Sequence, residues 1–185
     1  NVNNVLVPGD ITGTGEVTDA DFDKFVEDLL AGKVPSEGDA NFKNYDANDD
    51  NSINIADLQA IFNLSMGLNA DGSDPGAAAA RSFVADFEAG TMLVETSQLA
   101  NGNTRLDIML NSSADYRAFQ MDLVMTDGTT VVGETANLQL LRSNDLGKIH
   151  RIVGFGNVEN NGTMLSIEVA GDGNVHFTNI VLTTA

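Results

Sequence analysis

The 185-residue chain is 42% hydrophobic, has no cysteine, and carries 27 Asp plus Glu against 9 Lys plus Arg for a formal net charge of −18. That length supports two modest domains with packed cores, and the missing cysteines exclude a disulfide framework, a thiolate metal site and a cysteine nucleophile. The acidity repels nucleic acid, His150 and His176 are too few for a multi-histidine centre, and no apolar run reaches the roughly 18 residues of a membrane span.

The charge is uneven. Residues 1–74 hold 15 acids and 3 bases, whereas residues 75–185 hold 12 and 6. Crowded carboxylates in the first part call for bound cations. The opening Asn1-Val2-Asn3-Asn4 lacks the basic and apolar stretches of a signal peptide, as expected of a mature or trimmed form.

Val5-Leu6-Val7-Pro8-Gly9 does not read as helix. A polar loop follows from Asp10 to Asp21, then an apolar stripe at Phe22, Phe25, Val26, Leu29 and Leu30, whose spacing predicts a helix. Thr18 with Asp21 three residues on suits the helix start. The same arrangement returns 36 residues later. Asp10 matches Asp46, Thr12 matches Asn48, Thr14 matches Asp50, Val17 matches Ile53, Thr18 matches Asn54 and Asp21 matches Asp57. A second stripe, Leu58, Ile61, Phe62 and Met66, is expected to pack on the first.

Calcium takes six to eight oxygen ligands, and a twelve-residue loop supplies them from alternate positions. In the second loop Asp46, Asn48 and Asp50 offer side-chain oxygens, Ser52 a backbone carbonyl, Asn54 a direct or water-mediated contact, and Asp57 closes the set. Asn51 takes the sharp turn and Ile53 faces the core. In the first loop the corresponding residues are Asp10, Thr12, Thr14, Glu16, Thr18 and Asp21, with Gly15 at the turn and Val17 as core anchor. Hydroxyls replace two better ligands there, so two calcium sites are expected, the second tighter.

Small polar residues with Pro75 between Gly67 and Ala80 predict a linker, with a domain boundary that separates residues 1–74 from 75–185. Beyond it, short alternations predict strands near 81–88, 91–96, 104–110, 117–125, 129–133, 137–142, 148–155, 163–170 and 174–183. Asn101-Gly102, Asp127-Gly128, Asn161-Gly162 and Asp172-Gly173 are the expected turns. Arg105, Asp107 and Met109 alternate with Leu106, Ile108 and Leu110, as in a strand with one face on a core. Regular strands without helices predict an all-β sandwich.

Loop–helix, linker, loop–helix with aspartate closing each loop, and above all Gly9-Asp10-Ile-Thr-Gly-Thr-Gly-Glu-Val-Thr-Asp-Ala-Asp21-Phe22, resembles a type-I-like dockerin repeat pair over about residues 5–68. Ala118-Phe119-Gln120-Met121-Asp122-Leu123-Val124 and Gly162-Thr-Met-Leu-Ser-Ile-Glu-Val resemble strands of cohesin-like or carbohydrate-binding-like sandwiches. The resemblance implies a small α domain with two calcium loops followed by a β-sandwich, in an extracellular or cell-surface bacterial protein. It also implies a cohesin-like protein partner or docking between the two halves. The helix-start pair that contacts cohesin in dockerins is Asp19-Ala20 in one repeat and Ile55-Ala56 in the other, so partner specificity does not carry over.

No catalytic constellation is expected. Glu95, Asp107, Asp122, Glu134 and Glu168 read as surface carboxylates, His150 and His176 as half-exposed strand residues, and no Gly-x-Ser-x-Gly occurs. The expected function is a non-catalytic, calcium-binding extracellular module for protein–protein attachment in a polysaccharide-processing surface system. The alternative is a carbohydrate-binding surface protein whose sandwich contacts glycan, with the acidic half as a calcium-stabilised cap. The absence of Trp and the presence of only Tyr45 and Tyr116 rank the glycan second.

Overall fold

A computed structural model describes residues 6–75 and 91–184. The chain divides into two compact units. The expected strand at 81–88 and the last part of the linker lie outside the described residues.

The first unit contains α1 (Asp19–Ala31), α2 (Phe42–Tyr45) and α3 (Ile55–Ser65). The predicted stripe of α1 is buried at Phe25, Val26, Leu29 and Leu30. Gly32 ends the helix at φ 66°, and the Lys33 N–H returns to the Asp28 carbonyl at 2.8 Å. α3 buries Ile55, Leu58 and Ile61 completely. The two stripes meet, with Phe22 and Phe62 edge to face at 6.3 Å. Met66 does not belong to the second stripe: it caps α3 and is 65% exposed, because the helix ends at Ser65 before Met66 can face inward.

The short helix α2 has no periodic signal and was not expected. Tyr45 places its ring 6.0 Å from that of Phe25 and donates its hydroxyl to Asp28 at 2.6 Å, while Lys24 donates to the other oxygen of Asp28 at 2.7 Å. Burial and the Asp28 carboxylate push the Tyr45 hydroxyl well above its ordinary pKa.

The second unit has eight described strands: β1 (Thr91–Gln98), β2 (Thr104–Asn111), β3 (Tyr116–Met125), β4 (Thr130–Thr135), β5 (Leu140–Leu146), β6 (Ile149–Phe155), β7 (Asn161–Ala170) and β8 (Val175–Thr184). They form two four-stranded sheets ordered β1-β2-β7-β4 and β5-β6-β3-β8, and every pairing is antiparallel. Leu106, Ile108 and Leu110 of β2, Phe119, Met121 and Leu123 of β3, and Leu165, Ile167 and Val169 of β7 meet in one core between the sheets. This is a two-sheet sandwich, whose inward residues follow the period-two pattern.

Two local expectations need correction. Asn161-Gly162 is not a turn: Asn161 pairs with Asn111 and Gly162 with Leu110, so the dipeptide opens β7. The fifth strand runs from Leu140 rather than Asn137, because Gly147, at φ 73°, sets a tight hairpin that pairs Leu146 with Ile149 and Asp145 with His150. Leu138 still packs against the core from outside the strand.

Polar chemistry enters the sandwich at two places. Asp122 on β3 is 3% exposed and takes a bidentate pair from Arg151, at 2.8 and 3.1 Å. His150 is 6% exposed rather than half-exposed. Its Nδ1 lies 2.6 Å from Asp145 on the neighbouring strand, and its Nε2 bonds to Glu134 on β4 of the opposite sheet. Glu134 and Asp122 are therefore not surface carboxylates. Glu134 meets its partner from the opposite sheet and Asp122 from the neighbouring strand of its own sheet, and a single strand's pattern shows neither.

Gly154 faces the core directly below Phe119. A Cβ there would stand 2.4 Å from the Phe119 ring and 2.7 Å from Leu138, whereas one at Gly133 would meet nothing within 4 Å. Gly154→Ala should destabilise the sandwich by about 1–3 kcal/mol, and Gly133→Ala should stay near neutral, as read by urea unfolding.

Burial by itself would lower the pKa of His150, but its bonds to Glu134 and Asp145 outweigh burial and raise it above the ordinary 6.5. The bond to His150, helped by Ser143, holds Glu134 below its ordinary 4.5. The imidazolium's contribution is complete below the unfolded value and is lost as pH rises through the higher folded one. That of Glu134 is complete above its unfolded value and is lost as pH falls through the lower folded one. Sandwich stability should thus decline as pH rises through and beyond about 6.5. The unfolding midpoint of His150→Gln, followed over the same pH range, should lose that decline.

Candidate functional site

The two acidic loops repeat in structure as in sequence, but their carboxylates meet different donors. In the first loop Asp10 is 5% exposed. Its Oδ1 accepts the N–H groups of Gly13 at 2.8 Å and Thr14 at 3.0 Å, and its Oδ2 accepts that of Gly15 at 2.8 Å. Folding three neighbouring N–H groups onto one carboxylate requires positive φ, which Gly13 and Gly15 supply at 74° and 93°.

Asp21, at the third position of α1, is fully buried. Its Oδ1 accepts the Thr12 N–H and hydroxyl, both at 2.8 Å, and its Oδ2 accepts the Thr18 N–H at 2.8 Å and the Thr18 hydroxyl at 3.1 Å. Four donors fill a carboxylate's lone-pair sites. Burial would raise the pKa of Asp21, but these bonds outweigh it and hold the group below its ordinary range. The Thr14 hydroxyl donates to the Glu16 carbonyl at 3.1 Å. Each oxygen expected from Thr12, Thr14, Glu16 and Thr18 is therefore already engaged inside the loop.

The second loop has no hydroxyl on its closing carboxylate. Asp57 is fully buried and accepts backbone N–H groups alone: Ala47 at 2.9 Å and Asn48 at 3.3 Å on Oδ1, Asn54 at 2.9 Å on Oδ2. Asp46, also fully buried, accepts Asp50 N–H at 3.0 Å on one oxygen and Asn51 N–H at 3.3 Å on the other. Asp50 accepts the Ser52 N–H at 2.8 Å and the Asn48 amide at 3.0 Å, and Asn54 caps α3 through the Ala56 N–H at 2.8 Å. Burial above all pushes Asp57 up to about 7; backbone bonds from Asn54 and Asn48 oppose this, and repulsion from Asp50 and Asp46 adds to it. Equivalent aspartates in the two loops thus shift in opposite directions. Asn51 takes the positive φ expected of it, 62°, and Asp49 adds another at 59°.

The donor chemistry of the second loop suits calcium: three carboxylates, two amide side chains and a carbonyl, with charge the chain's own donors leave incompletely balanced. The first loop fits less well, because its two carboxylates are satisfied by the chain's own donors. Among the described residues no three His, Cys, Asp or Glu side chains are gathered tightly enough to hold a metal ion by themselves. In the second loop the amides and the Ser52 carbonyl would have to complete the shell.

Two residues at these loops were missed in the sequence. Asn44 donates to the carbonyl of Asp10 at 2.9 Å, which ties α2 to the first loop. Lys43 reaches into the second loop; a lone base three residues before Asp46 was the available signal. A cleft of about 480 Å³ beside the first loop is lined by Leu6, Ile11, Thr12, Thr14, Asn41 and Asn44 among others. Among the described residues Asp10 is the one titratable side chain on its wall, both its oxygens are engaged, and no acid–base pair lines the cleft.

The fold defines a small helical region followed by a two-sheet β-sandwich. No protein-family model matches the chain, and no curated protein matches it by sequence. Among solved structures, a non-cellulosomal cohesin from the archaeon Archaeoglobus fulgidus is 8% identical with a TM-score of 0.42, over 51% of this chain and 78% of that one. The chitin-binding domain of a chitinase from Pyrococcus furiosus is 14% identical with a TM-score of 0.37, over 50% and 84%. A cohesin module of a family 33 glycoside hydrolase from Clostridium perfringens is 10% identical with a TM-score of 0.34, over 51% and 91%. At these scores no ligand or partner of this chain follows from the likeness.

Asp21→Ala would strand the N–H groups of Thr12 and Thr18 together with their hydroxyls. It should destabilise the helical unit by roughly 2–4 kcal/mol in thermal unfolding. Asp19→Ala, at an exposed position two residues earlier, should change stability by no more than about 0.5 kcal/mol.

Proposed function

We propose that this chain is a non-catalytic extracellular module whose helical unit binds calcium and, so ordered, serves protein–protein attachment in a polysaccharide-processing surface system. The observation that carries the reading is the oxygen set of the second loop. Asp46, Asn48, Asp50, the Ser52 carbonyl, Asn54 and Asp57 follow the alternate-position plan of a calcium loop, and the carboxylate that closes the set is buried without a charged or hydroxyl donor. A divalent cation would supply the missing charge. The first loop, with Asp10, Thr12, Thr14, the Glu16 carbonyl, Thr18 and Asp21, ranks as the weaker site because it offers two carboxylates against three and hydroxyls in place of better ligands.

Attachment follows from the resemblance to dockerins, and the helix starts narrow where a cohesin-like partner would bind. Asp19 and Ala20 are exposed, whereas Ile55 is completely buried. The first repeat would present the contact face. Glycan binding ranks second, since no aromatic side chain is among the exposed large apolar residues of the described chain.

Calorimetric titration of the chelator-treated chain with calcium, with helicity followed in parallel, tests the reading. One site, or two of unequal affinity, is expected, with a gain in helix. Asp50 is exposed and outside both buried cores, so Asp50→Ala should leave the fold intact and weaken the tighter site by roughly tenfold or more. No heat and no structural change in the unaltered chain would overturn the calcium reading.

A further inference from the structure

We propose that Lys43 is a resident counter-cation of the second loop: it holds the loop folded when no divalent ion is bound, and it lowers the loop's affinity for one. The proposal rests on the calcium reading above and adds a control to that same site.

Lys43 lies on α2, one turn before the loop. Its Nζ donates to Asp46 Oδ2 at 3.0 Å, to Asp49 Oδ1 at 2.6 Å and to Asn51 Oδ1 at 3.3 Å. These three acceptors span the first half of the loop, and Asp46 is the residue that also orders the backbone N–H groups of Asp50 and Asn51. A single ammonium thus gathers the loop's opening carboxylate, its turn residue and the acid between them. The lysine side chain is 44% exposed, while that of Asp46 is fully buried. An exposed cation on a buried carboxylate can relax outward without disrupting a core.

The comparison between the loops gives the lysine its meaning. The residue 36 positions earlier is Val7, and the first loop has no ammonium. There the closing carboxylate accepts the Thr12 and Thr18 hydroxyls instead. In the second loop Asn48 and Asn54 stand at those positions and donate nothing to Asp57 from their side chains, and the ammonium that enters from outside the loop lies on its opening carboxylate, Asp46. Lys43 offsets part of the repulsion among Asp46, Asp49, Asp50 and Asp57 while the loop is metal-free. Once a divalent ion enters, the same positive charge repels it.

The test uses the intact chain after chelation, as wild type, Lys43→Gln and Lys43→Arg. Lys43→Met, which keeps the alkyl stem, guards against lost packing. Lys43→Gln should bind calcium at the second loop roughly five- to tenfold more tightly, and the difference should narrow as salt is raised. Its melting temperature in chelator should fall by a few degrees, the opposite sense to the affinity change. Lys43→Arg should stay close to wild type in both measurements. Unchanged or weaker calcium binding by both charge-removing variants would overturn the proposal and leave the calcium reading standing. Absence of calcium heat in wild type and variants alike would overturn both.

Discussion

The helical unit depends on one interaction made four times: a buried carboxylate that accepts a run of backbone N–H groups. Asp10, Asp21, Asp46 and Asp57 are each 5% exposed or less. Each gathers donors that would otherwise be orphaned in a loop without a ladder. Asp21 and Asp57 also reach back to the residue that precedes their helices, so loop geometry and helix direction are set together. A two-helix unit of this size has a small apolar core. Its long loops keep one conformation because the carboxylates over-determine it. Such a design is sensitive to charge, since every oxygen that orders the backbone also carries part of an anion.

The sandwich solves a different problem. Its backbone groups are paired in the sheets, and its stability comes from inward residues of β2, β3 and β7 packed between two layers. Polar groups enter it where they join elements distant in sequence. Glu134 and His150 are 16 positions apart and lie in opposite sheets, and Arg151 reaches Asp122 across 29 positions. The Glu134–His150 contact joins the two layers, a matter on which apolar packing alone is permissive, whereas Arg151–Asp122 ties neighbouring strands of one sheet.

Much of this was legible in the sequence, and the limits of that reading have physical causes. The repeat was visible because Asp10 and Asp46, and Asp21 and Asp57, must stand at the same spacing to fold the same loop. The strands were visible because Leu106, Ile108 and Leu110 alternate with polar neighbours. Asn161-Gly162 misled because a dipeptide rich in turn propensity can also open a strand when its partner, here Asn111 and Leu110, is already in place. His150 misled for a related reason: alternation along β6 gives the face but not what stands opposite, and Glu134 arrives from another sheet. Lys43 was not singled out, since only the folded loop brings its ammonium to Asp46, Asp49 and Asn51.

The two loops share one backbone plan and differ in how charge is balanced, and that difference follows from four side chains. Thr12 and Thr18 carry hydroxyl hydrogens that point at Asp21; Asn48 and Asn54, at the matching positions, carry amides that turn to Asp50 and to the helix backbone instead. A hydroxyl is both a ligand and a hydrogen-bond donor, and in the first loop both hydroxyls donate to the carboxylate. Its aspartate is thereby stabilised as an anion without any cation. In the second loop Asp57 has backbone donors alone and burial drives it toward the neutral form, while Asp46 takes an ammonium. The two loop–helix units thus differ: in one the closing carboxylate accepts hydroxyls, and in the other the opening carboxylate accepts an ammonium.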